Sequence, residues 1–263
     1  MAEIATLTVN PTIDVAFEVD QIRHTHKMRG RGERHAPGGG GTNVARVATR
    51  LGSNCRCYYL SGGAAGAALD KLIELHRLAA SRIPIAGETR ISTSVGEQSS
   101  GLQYRFVTEG PEIDADEWQR CLDRLSHARC DYLVASGSLP PGLPDDSYAQ
   151  VAAMAALQGS RFVLDSSGRG LSGGLARGGV FLVKPSLAEL SALSGHELSN
   201  DELIAEAATK IVEAGSAEHV AVTLGGDGAM LVNRAGVLRL PAIATSVVSA
   251  VGCGDSFVAA MVH

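Results

Sequence analysis

Short apolar runs rich in β-branched residues alternate with helical patterns along most of the chain. The runs predict strands at residues 4–9, 55–60, 131–136, 161–165, 180–183 and 219–223. Apolar residues at the spacing of one helix face, followed by a glycine C-cap, predict a helix after the first strand: Val44, Val47, Ala48, Leu51 and Gly52. A capping box of Asp114 and Glu117 opens another helix toward Leu125. This alternation predicts an α/β fold: a mostly parallel sheet with helices on both faces and ligands at the carboxyl ends of its strands.

One stretch of the chain departs from that alternation. Residues 90–95 and 102–107 have the pattern of two strands joined by a turn, and 17–19 and 27–34 have strand patterns with no helix beside them. We expect a small sheet, built from about 15–35 and 88–108, that projects from a single domain spanning 1–263 and acts as a lid or a dimer face. A two-sided sheet with the apolar side chains Ile91, Val95, Phe106 and Val107 is marginal alone, so we expect this sheet to pair with its twin in a homodimer.

Composition narrows the class of function. The 263 residues include 23 Lys and Arg against 28 Asp and Glu, a net charge of −5, so a nucleic acid is not an expected partner. The 31 glycines favour tight turns and close backbone approaches, as in enzymes with glycine-rich ligand loops. No apolar run approaches the ~20 residues that span a bilayer, so we expect a soluble protein without a membrane partner.

The five cysteines predict a reducing, cytoplasmic environment, because their number is odd, no CxxC pair occurs and the first residues do not resemble a signal peptide. Cys55 and Cys57 share one face of a predicted strand with Tyr59, and no His or Cys stands at a zinc spacing. We therefore expect them to pack in the core rather than bind metal. The helical pattern after Gly252 stops after about two turns without a cap, so we expect the native chain to continue beyond His263.

The first candidate ligand loop is residues 37–43, PGGGGTN, just before the helix pattern at Val44. Backbone N–H groups and the positive end of the helix dipole would face a ligand above this loop, which suits a polyhydroxy or anionic molecule. A plain turn is the alternative, but four consecutive glycines are costly in chain entropy for a connector. The loop is neither a Walker A motif nor a dinucleotide-binding fingerprint.

A second candidate is residues 252–255, GCGD, at the start of the last helix pattern. The successive N–H groups of Gly252, Cys253 and Gly254 can form an anion-binding nest, and Asp255 can hold a hydroxyl beside the anion. Taken alone, a Gly-x-Gly-Asp segment favours Asp255 as a helix cap over a ligand-binding carboxylate.

These motifs together resemble the PfkB sugar kinases of the ribokinase-like family. Residues 37–46, PGGGGTNVAR, are similar to the family's N-terminal signature, and 251–257, VGCGDSF, to its C-terminal signature, with Cys253 where alanine is usual. Between them GETR (87–90), GSLPPG (137–142), DSSG (165–168), KPS (184–186) and LGGDGA (224–229) follow in the family's order. Within the family the chain most resembles the 6-phosphofructokinases, because Gly40 stands where 1-phosphofructokinases and tagatose-6-phosphate kinases tend to carry Lys, and because of QYRFV at 103–107.

The resemblance implies roles on the acceptor side. Asp14, at the end of the first predicted strand, and Asn43 would bind sugar hydroxyls, and Gly39 and Gly40 would let the sugar lie against backbone. Arg90 would grip a phosphate with its forked guanidinium, and Ser138 would reach the ligand with its hydroxyl. Lys27 is a candidate phosphate contact across the lid. Without the resemblance, Arg90 and Lys27 would both be taken as solvated strand charges.

On the nucleotide side, the resemblance implies ATP and Mg²⁺. Lys184 and Ser186 would lie near the phosphates, Glu189 would organise the metal through water, and Thr223, Gly225 and Gly228 would line the ribose and adenine. Ser186 departs from the family, which usually carries Asn there.

The implied reaction is transfer of the ATP γ-phosphoryl group to the 1-hydroxyl of fructose 6-phosphate. Asp255 would orient that hydroxyl and accept its proton, although a carboxylate at a helix N-terminus is a weak base, and the N–H groups of residues 252–254 would stabilise the moving phosphoryl. Two alternatives stay open: a kinase with another acceptor, such as tagatose 6-phosphate or fructose 1-phosphate, and a catalytically weak protein that binds sugar phosphates.

Overall fold

The computed structural model describes residues 3–245 and 251–263, which form two sheets and eight helices. The strands are β1 Glu3–Thr8, β2 Thr12–Val19, β3 Arg31–Gly38, β4 Asn54–Ser61, β5 Ala79–Pro84, β6 Arg90–Glu97, β7 Gln103–Val107, β8 Tyr132–Ser136, β9 Arg161–Asp165, β10 Val180–Val183, β11 Ala217–Thr223, β12 Ala229–Asn233 and β13 Gly236–Leu240. The helices are α1 Gly40–Leu51, α2 Gly63–Leu75, α3 Ala115–Leu125, α4 Ser147–Leu157, α5 Gly168–Leu175, α6 Leu187–Ser194, α7 Asp201–Glu213 and α8 Cys253–Val262.

The large sheet confirms the α/β prediction. Its nine strands run in the order β13-β12-β11-β10-β9-β8-β1-β4-β5, and all neighbours are parallel except the pairs β11–β12 and β12–β13. One core cluster packs α3, α4, α5, α6 and α7 against one face, and a second packs α1, α2 and α8 against the other. The strands expected from apolar runs are all present. Three further strands were not predicted. β5 and β13 are the two edges of the sheet and are mostly exposed, and β12 lies between β13 and β11 with alternate residues buried.

The small sheet is also present, in the order β3-β2-β6-β7. Pairing registers divide its side chains between two faces. Asp14 lies beside Ser92, which pairs with Val107, and Ser94 pairs with Arg105, so these residues share one face. Thr93 pairs with Phe106 on the opposite face, together with Ile91 and Val95. Ile91 and Phe106 are exposed there, whereas Val95 is buried, and Val107 lies on the other face with Asp14.

Two boundaries within this sheet differ from the sequence prediction. The strand expected at 27–34 is Arg31–Gly38, because the chain turns at Thr25, whose φ is +62°, and Lys27 lies in the segment before the strand. Asp14 belongs to β2 in the small sheet and not to the end of the first strand, since β1 ends at Thr8 and the chain crosses to the second sheet before Thr12.

The glycine-rich segment is part strand and part helix rather than a loop. Gly38 closes β3, and α1 begins at Gly40, four residues before the expected start at Val44. Glycines fit because α1 begins in close contact with the large sheet: a Cβ on Gly41 would lie about 2.5 Å from the Leu7 carbonyl oxygen and about 2.6 Å from Thr8 Oγ1. Gly39 has φ +100°, a conformation that favours glycine.

Candidate active site

A cavity of about 240 Å³ opens at the carboxyl ends of the parallel strands, beneath the small sheet. Its walls come from β2, β6 and β7 on one side and from the ends of β8 and β9, with the starts of α1, α6 and α8, on the other. The lining residues are Thr12, Gly39, Gly40, Asn43, Arg90, Arg105, Val107, Ser136, Gly137, Ser138, Asp165, Ser166, Ser167, Glu189, Val251, Gly252 and Asp255. A larger neighbouring cavity along the small sheet shares Arg105 and Val251 and adds Asp14.

Asp255 lies in the first turn of α8, near the positive end of the helix dipole. Its Oδ2 accepts a hydrogen bond of 2.9 Å from Asn43 Nδ2, across the cavity from α1. The N-cap of α8 is Gly252, with φ +79°, and the helix has no side-chain cap bond, so Asp255 does not cap it. Burial raises the pKa of Asp255, although hydrogen bonds from Asn43 and Ser136 and the charge of Lys184 oppose the rise. Burial therefore makes this carboxylate a stronger base than its place at a helix N-terminus alone predicts.

Asp14 lines the larger neighbouring cavity and has an unsatisfied acceptor. Its Oδ1 is buried and has no hydrogen-bond partner among the described residues. Burial raises the pKa of Asp14, and the charges of Arg105, Arg90 and Arg46 lower it in part. The carboxylate packs on Gly38, where a Cβ would overlap it. A buried acceptor in this position fits a ligand hydroxyl.

Arg90 lies at the start of β6 and bridges two backbone segments. Its Nη1 donates to the Thr108 carbonyl at 2.8 Å and its Nη2 to the Asn10 carbonyl at 2.9 Å. Its Nε is buried and lacks a partner within residues 3–245 and 251–263. Arg90 therefore links two backbone segments by hydrogen bonds, a structural role that sequence reasoning missed. Its remaining N–H groups can still donate to an anion. Ser138 lies nearby and accepts a long hydrogen bond, 3.4 Å, from Asn10 Nδ2.

Lys184 is buried behind α8 in an ion pair with Asp165, with Nζ and Oδ1 3.1 Å apart. Burial raises the pKa of Asp165 to about 6, against the opposing effect of Lys184. Gly254 lies next to the lysine, and a Cβ there would be 3.4 Å from Nζ, an ordinary contact distance. Ser136 Oγ also donates to Asp165 Oδ2, at 3.2 Å. Lys184 thus lies behind the cavity wall, whereas Asp165 lines it.

Ser186 and Glu189 form the capping box of α6. Glu189 Oε2 accepts from the Ser186 N–H at 2.7 Å, and Ser186 Oγ accepts from the Glu189 N–H at 3.3 Å. The serine hydroxyl therefore caps this helix even though the usual family residue is absent. Only one carboxylate oxygen of Glu189 accepts a bond in the capping box. Because Glu189 lines the cavity, its second oxygen can accept a hydrogen bond from a ligand or water there.

The remaining predicted nucleotide residues follow the next strand. Thr223 ends β11 and bridges to Ser186, and its N–H donates to the Pro185 carbonyl at 3.0 Å. Gly225 begins a 3₁₀ turn, Gly225–Asp227, and Gly228 follows it with φ +104°. They lie on the same edge of the sheet as Ser186 but do not line the 240 Å³ cavity.

Lys27 is exposed and does not line the cavity, so the structure does not bring it to the site of its own chain. Cys253 opens α8 and is exposed. Cys55 and Cys57 are buried in the second core cluster, which confirms the packing prediction. No helix in the part of the chain that the structure describes has the length and apolar character needed to cross a membrane.

Comparison with known proteins identifies the family. Residues 7–263 match the family model described as pfkB family carbohydrate kinase. The chain belongs to this family. It is 41% identical over 260 residues to ATP-dependent 6-phosphofructokinase isozyme 2 of Mycobacterium tuberculosis, which covers 98% of the chain and 76% of the relative.

The kinase also resembles phosphofructokinase-2 from Escherichia coli. The crystal structure of that protein in complex with fructose 6-phosphate is 37% identical, with a TM-score of 0.93 over 100% of this chain and 86% of that one. The structure of its tetrameric inhibited form has a TM-score of 0.94 over the same shares of the two chains.

Sequence reasoning missed several lining residues of this kinase. Ser136 and Asp165 are the last residues of β8 and β9, so the rule that ligands bind at carboxyl ends of parallel strands could have identified them. Arg105 lies on the cavity side of β7 by strand alternation with Val107. The charge of Arg105 lowers the pKa of both Asp14 and Asp255, so this one cation stabilises the charged form of both carboxylates.

Proposed function

We propose that this kinase transfers the γ-phosphoryl group of ATP to the 1-hydroxyl of fructose 6-phosphate. The observation that carries the proposal is Asp255, held by Asn43 at the start of α8 and facing a cavity whose opposite wall carries Arg90 and Arg105. A carboxylate at one end and guanidinium groups at the other suit an acceptor with a hydroxyl and a phosphate at opposite ends. The names of the M. tuberculosis and E. coli relatives support the same acceptor.

On the acceptor side, Asp14 and Asn43 bind sugar hydroxyls in this proposal, and the buried, unpaired Oδ1 of Asp14 supports its part. The sugar lies along Gly39 and Gly40. Arg90 and Ser138 contact the 6-phosphate, with Arg105 as a further cation. Lys27 is proposed as a contact contributed by the segment before β3 of a second copy, since it does not line the cavity of its own chain.

ATP occupies the edge formed by Lys184, Ser186, Thr223, Gly225 and Gly228. Mg²⁺ fits the same edge, because the carboxylates of Asp165, Glu189 and Asp255 line one cavity and Asp165 is repelled by both of the others. Among the residues that the structure describes, no three His, Cys, Asp or Glu side chains are grouped to hold a metal by themselves. This suits an ion that would be held mainly by nucleotide phosphates and water, with Glu189 organising the water, and that would neutralise phosphate charge.

In the reaction, the 1-hydroxyl oxygen attacks the γ-phosphorus as the bond to the β-phosphate oxygen breaks, and ADP leaves. Asp255 orients the hydroxyl and takes its proton, and its raised pKa favours this transfer. The positive end of α8, with the N–H groups of Gly252, Cys253 and Gly254, stabilises charge on the moving phosphoryl group. A loose transition state needs positioning more than early deprotonation.

We also propose that the small sheet acts as a lid over a single domain and joins two copies through Ile91 and Phe106, which are 49% and 61% exposed. The tetrameric form of the E. coli relative is consistent with association. A cytoplasmic location fits Cys55, Cys57, Cys121 and Cys130, whose thiols are free.

A coupled assay of ADP release tests the function, with fructose 6-phosphate, tagatose 6-phosphate, fructose 1-phosphate and unphosphorylated fructose as acceptors. We expect fructose 6-phosphate to have the highest kcat/KM. We also expect ³¹P NMR of the product to show the new phosphate on carbon 1. A higher kcat/KM with another sugar phosphate would show that the proposed acceptor is wrong, although the protein would still be a kinase. Binding without magnesium-dependent turnover would favour a sugar-phosphate-binding protein.

A further inference from the structure

Arg46 lies on α1 one turn after Asn43 and is half buried behind the cavity. It does not line the cavity, yet its Nη1 donates to two acceptors beside it: Asn43 Oδ1 at 3.2 Å and the Pro37 carbonyl at 3.3 Å. Pro37 pairs with Ile13 at the junction of β3 and β2. The guanidinium therefore joins the helix that carries Asn43 to the sheet that carries Asp14.

The first consequence concerns the orientation of the Asn43 amide. The two ends of an amide have nearly the same shape, so packing alone does not decide which end meets Asp255. With Oδ1 turned toward Arg46, Nδ2 points to Asp255 Oδ2 at 2.9 Å. The reverse orientation would set an oxygen against the carboxylate and an NH₂ group against the guanidinium, which are two repulsive contacts. The charge of Arg46 selects the orientation that holds Asp255.

The second consequence concerns Asp14. The positive charge of Arg46 acts on this carboxylate and lowers its pKa, against the effect of burial. Asp14 in turn stabilises the charged form of Arg46, whose pKa is lowered by burial and by Arg50. One cation outside the cavity thus acts on both carboxylates of the proposed reaction, on Asp255 through Asn43 and on Asp14 through space.

We propose that Arg46 is a positioning residue for phosphoryl transfer: it orients the Asn43 amide so that Asp255 is held at the acceptor hydroxyl. This inference rests on the proposed function. It predicts that loss of Arg46 affects the acceptor and the chemical step and leaves the binding of ATP unchanged, because its contacts all lie on the acceptor side.

The test compares Arg46→Met, which keeps much of the volume, with Arg46→Lys, which keeps the charge. Arg50→Met is the matched control, because Arg50 lies one turn later on α1 and is exposed. We expect Arg46→Met to lower kcat about 10- to 100-fold, the range for a hydrogen bond to a charged group, with KM for ATP within about twofold of the parent. Arg46→Lys should recover part of the loss. Arg50→Met should leave kcat unchanged.

A double-mutant cycle separates positioning from general destabilisation. If Arg46 acts through Asn43 on Asp255, then Arg46→Met should have little further effect on kcat once Asp255→Asn is present. Equal fold-losses in both backgrounds, or a rise of KM for ATP equal to that for the sugar phosphate, would overturn the inference.

A readout without turnover keeps the inference separate from the proposed reaction. In a ¹H–¹⁵N spectrum, the side-chain NH₂ signal of Asn43 should shift in Arg46→Met and not in Arg50→Met. If no sugar phosphate is turned over, the proposed function is wrong. The Asn43 signal would still show whether Arg46 orients the Asn43 amide. A signal that does not move in Arg46→Met would overturn the role of Arg46 whatever the acceptor.

Discussion

Replacement of Asp255 by Asn tests the proposed proton acceptor with little change of shape. In the parent, Oδ2 is held by Asn43 Nδ2 at 2.9 Å, and the carboxylate lines the cavity. The Asn oxygen can take the same bond, and its NH₂ group then occupies the place of the second carboxylate oxygen. That group donates where the acceptor hydroxyl must also donate, and it cannot take a proton.

The size of the effect follows from this geometry. Because the sugar and its phosphate keep their other contacts, KM should change little, and the loss should appear in kcat. General base catalysis contributes about 10²- to 10⁴-fold, or roughly 3 to 5 kcal/mol in the barrier. Stability should stay close to that of the parent, since Gly252 and not Asp255 is the N-cap of α8. The variant also removes a carboxylate whose pKa is raised by burial, so no buried charge is left unpaired at position 255.

The assay is steady-state ADP release with fructose 6-phosphate, together with a urea denaturation curve for each variant. Asp116→Asn is the matched control, because Asp116 lies in the first turn of α3 and is exposed. It should leave kcat unchanged. An Asp255→Asn variant that folds as the parent does and keeps kcat within about threefold would refute the role of Asp255 as proton acceptor.

Three further outcomes are expected. Arg90→Ala should raise KM for fructose 6-phosphate roughly 10- to 150-fold and KM for ATP little, as loss of a charged hydrogen bond implies; equal increases, or the same result with the exposed Arg56→Ala, would point to a structural role. Phe106→Glu should halve the mass in light scattering, whereas Leu157→Glu, at a still more exposed apolar site on α4, should not; a monomeric parent with full activity would contradict the dimer. Burial raises the pKa of Asp165 to about 6, so the folded state binds this proton more tightly than the unfolded state does. As the pH is raised from about 4 to about 6, the unfolding free energy of the parent should therefore fall relative to that of Asp165→Asn. An increase with rising pH over that range would contradict the shift.

The sequence predicts those parts of the fold whose signal is local. Apolar runs identify the central strands, and the capping box at Asp114 and the glycine at Gly52 mark helix ends that the structure confirms. Edge strand β5 was missed because it includes Arg82 and Pro84 and is buried mainly at Ile83. The start of β3 was misplaced because the charged residues before it carry no alternation. Lys27 lies in the irregular segment between the turn at Thr25 and the start of β3.

The candidate site was predictable where a glycine motif and a helix start coincide, as at Asn43 and Asp255. It was not predictable where a contact joins distant segments. Nothing near Arg90 in sequence indicates that its guanidinium donates to the carbonyls of Asn10 and Thr108. Likewise, the pairing of Lys184 with Asp165 depends on the neighbouring positions of β9 and β10 in the sheet. Such contacts depend on strand order, which local patterns do not specify.

The glycine-rich segment illustrates why a ligand role and a packing role need not be alternatives. Gly39 and Gly40 line the cavity, as a ligand loop should. A side chain on Gly40 would, however, overlap the hydroxyl of Ser136, so glycine is also required by the approach of α1 to β8. That hydroxyl donates to Asp165 and interacts with Asp255. The close packing allowed by Gly40 therefore brings Ser136 between two carboxylates of the proposed site, and the packing that excludes a side chain at position 40 is the same packing that builds the cavity wall.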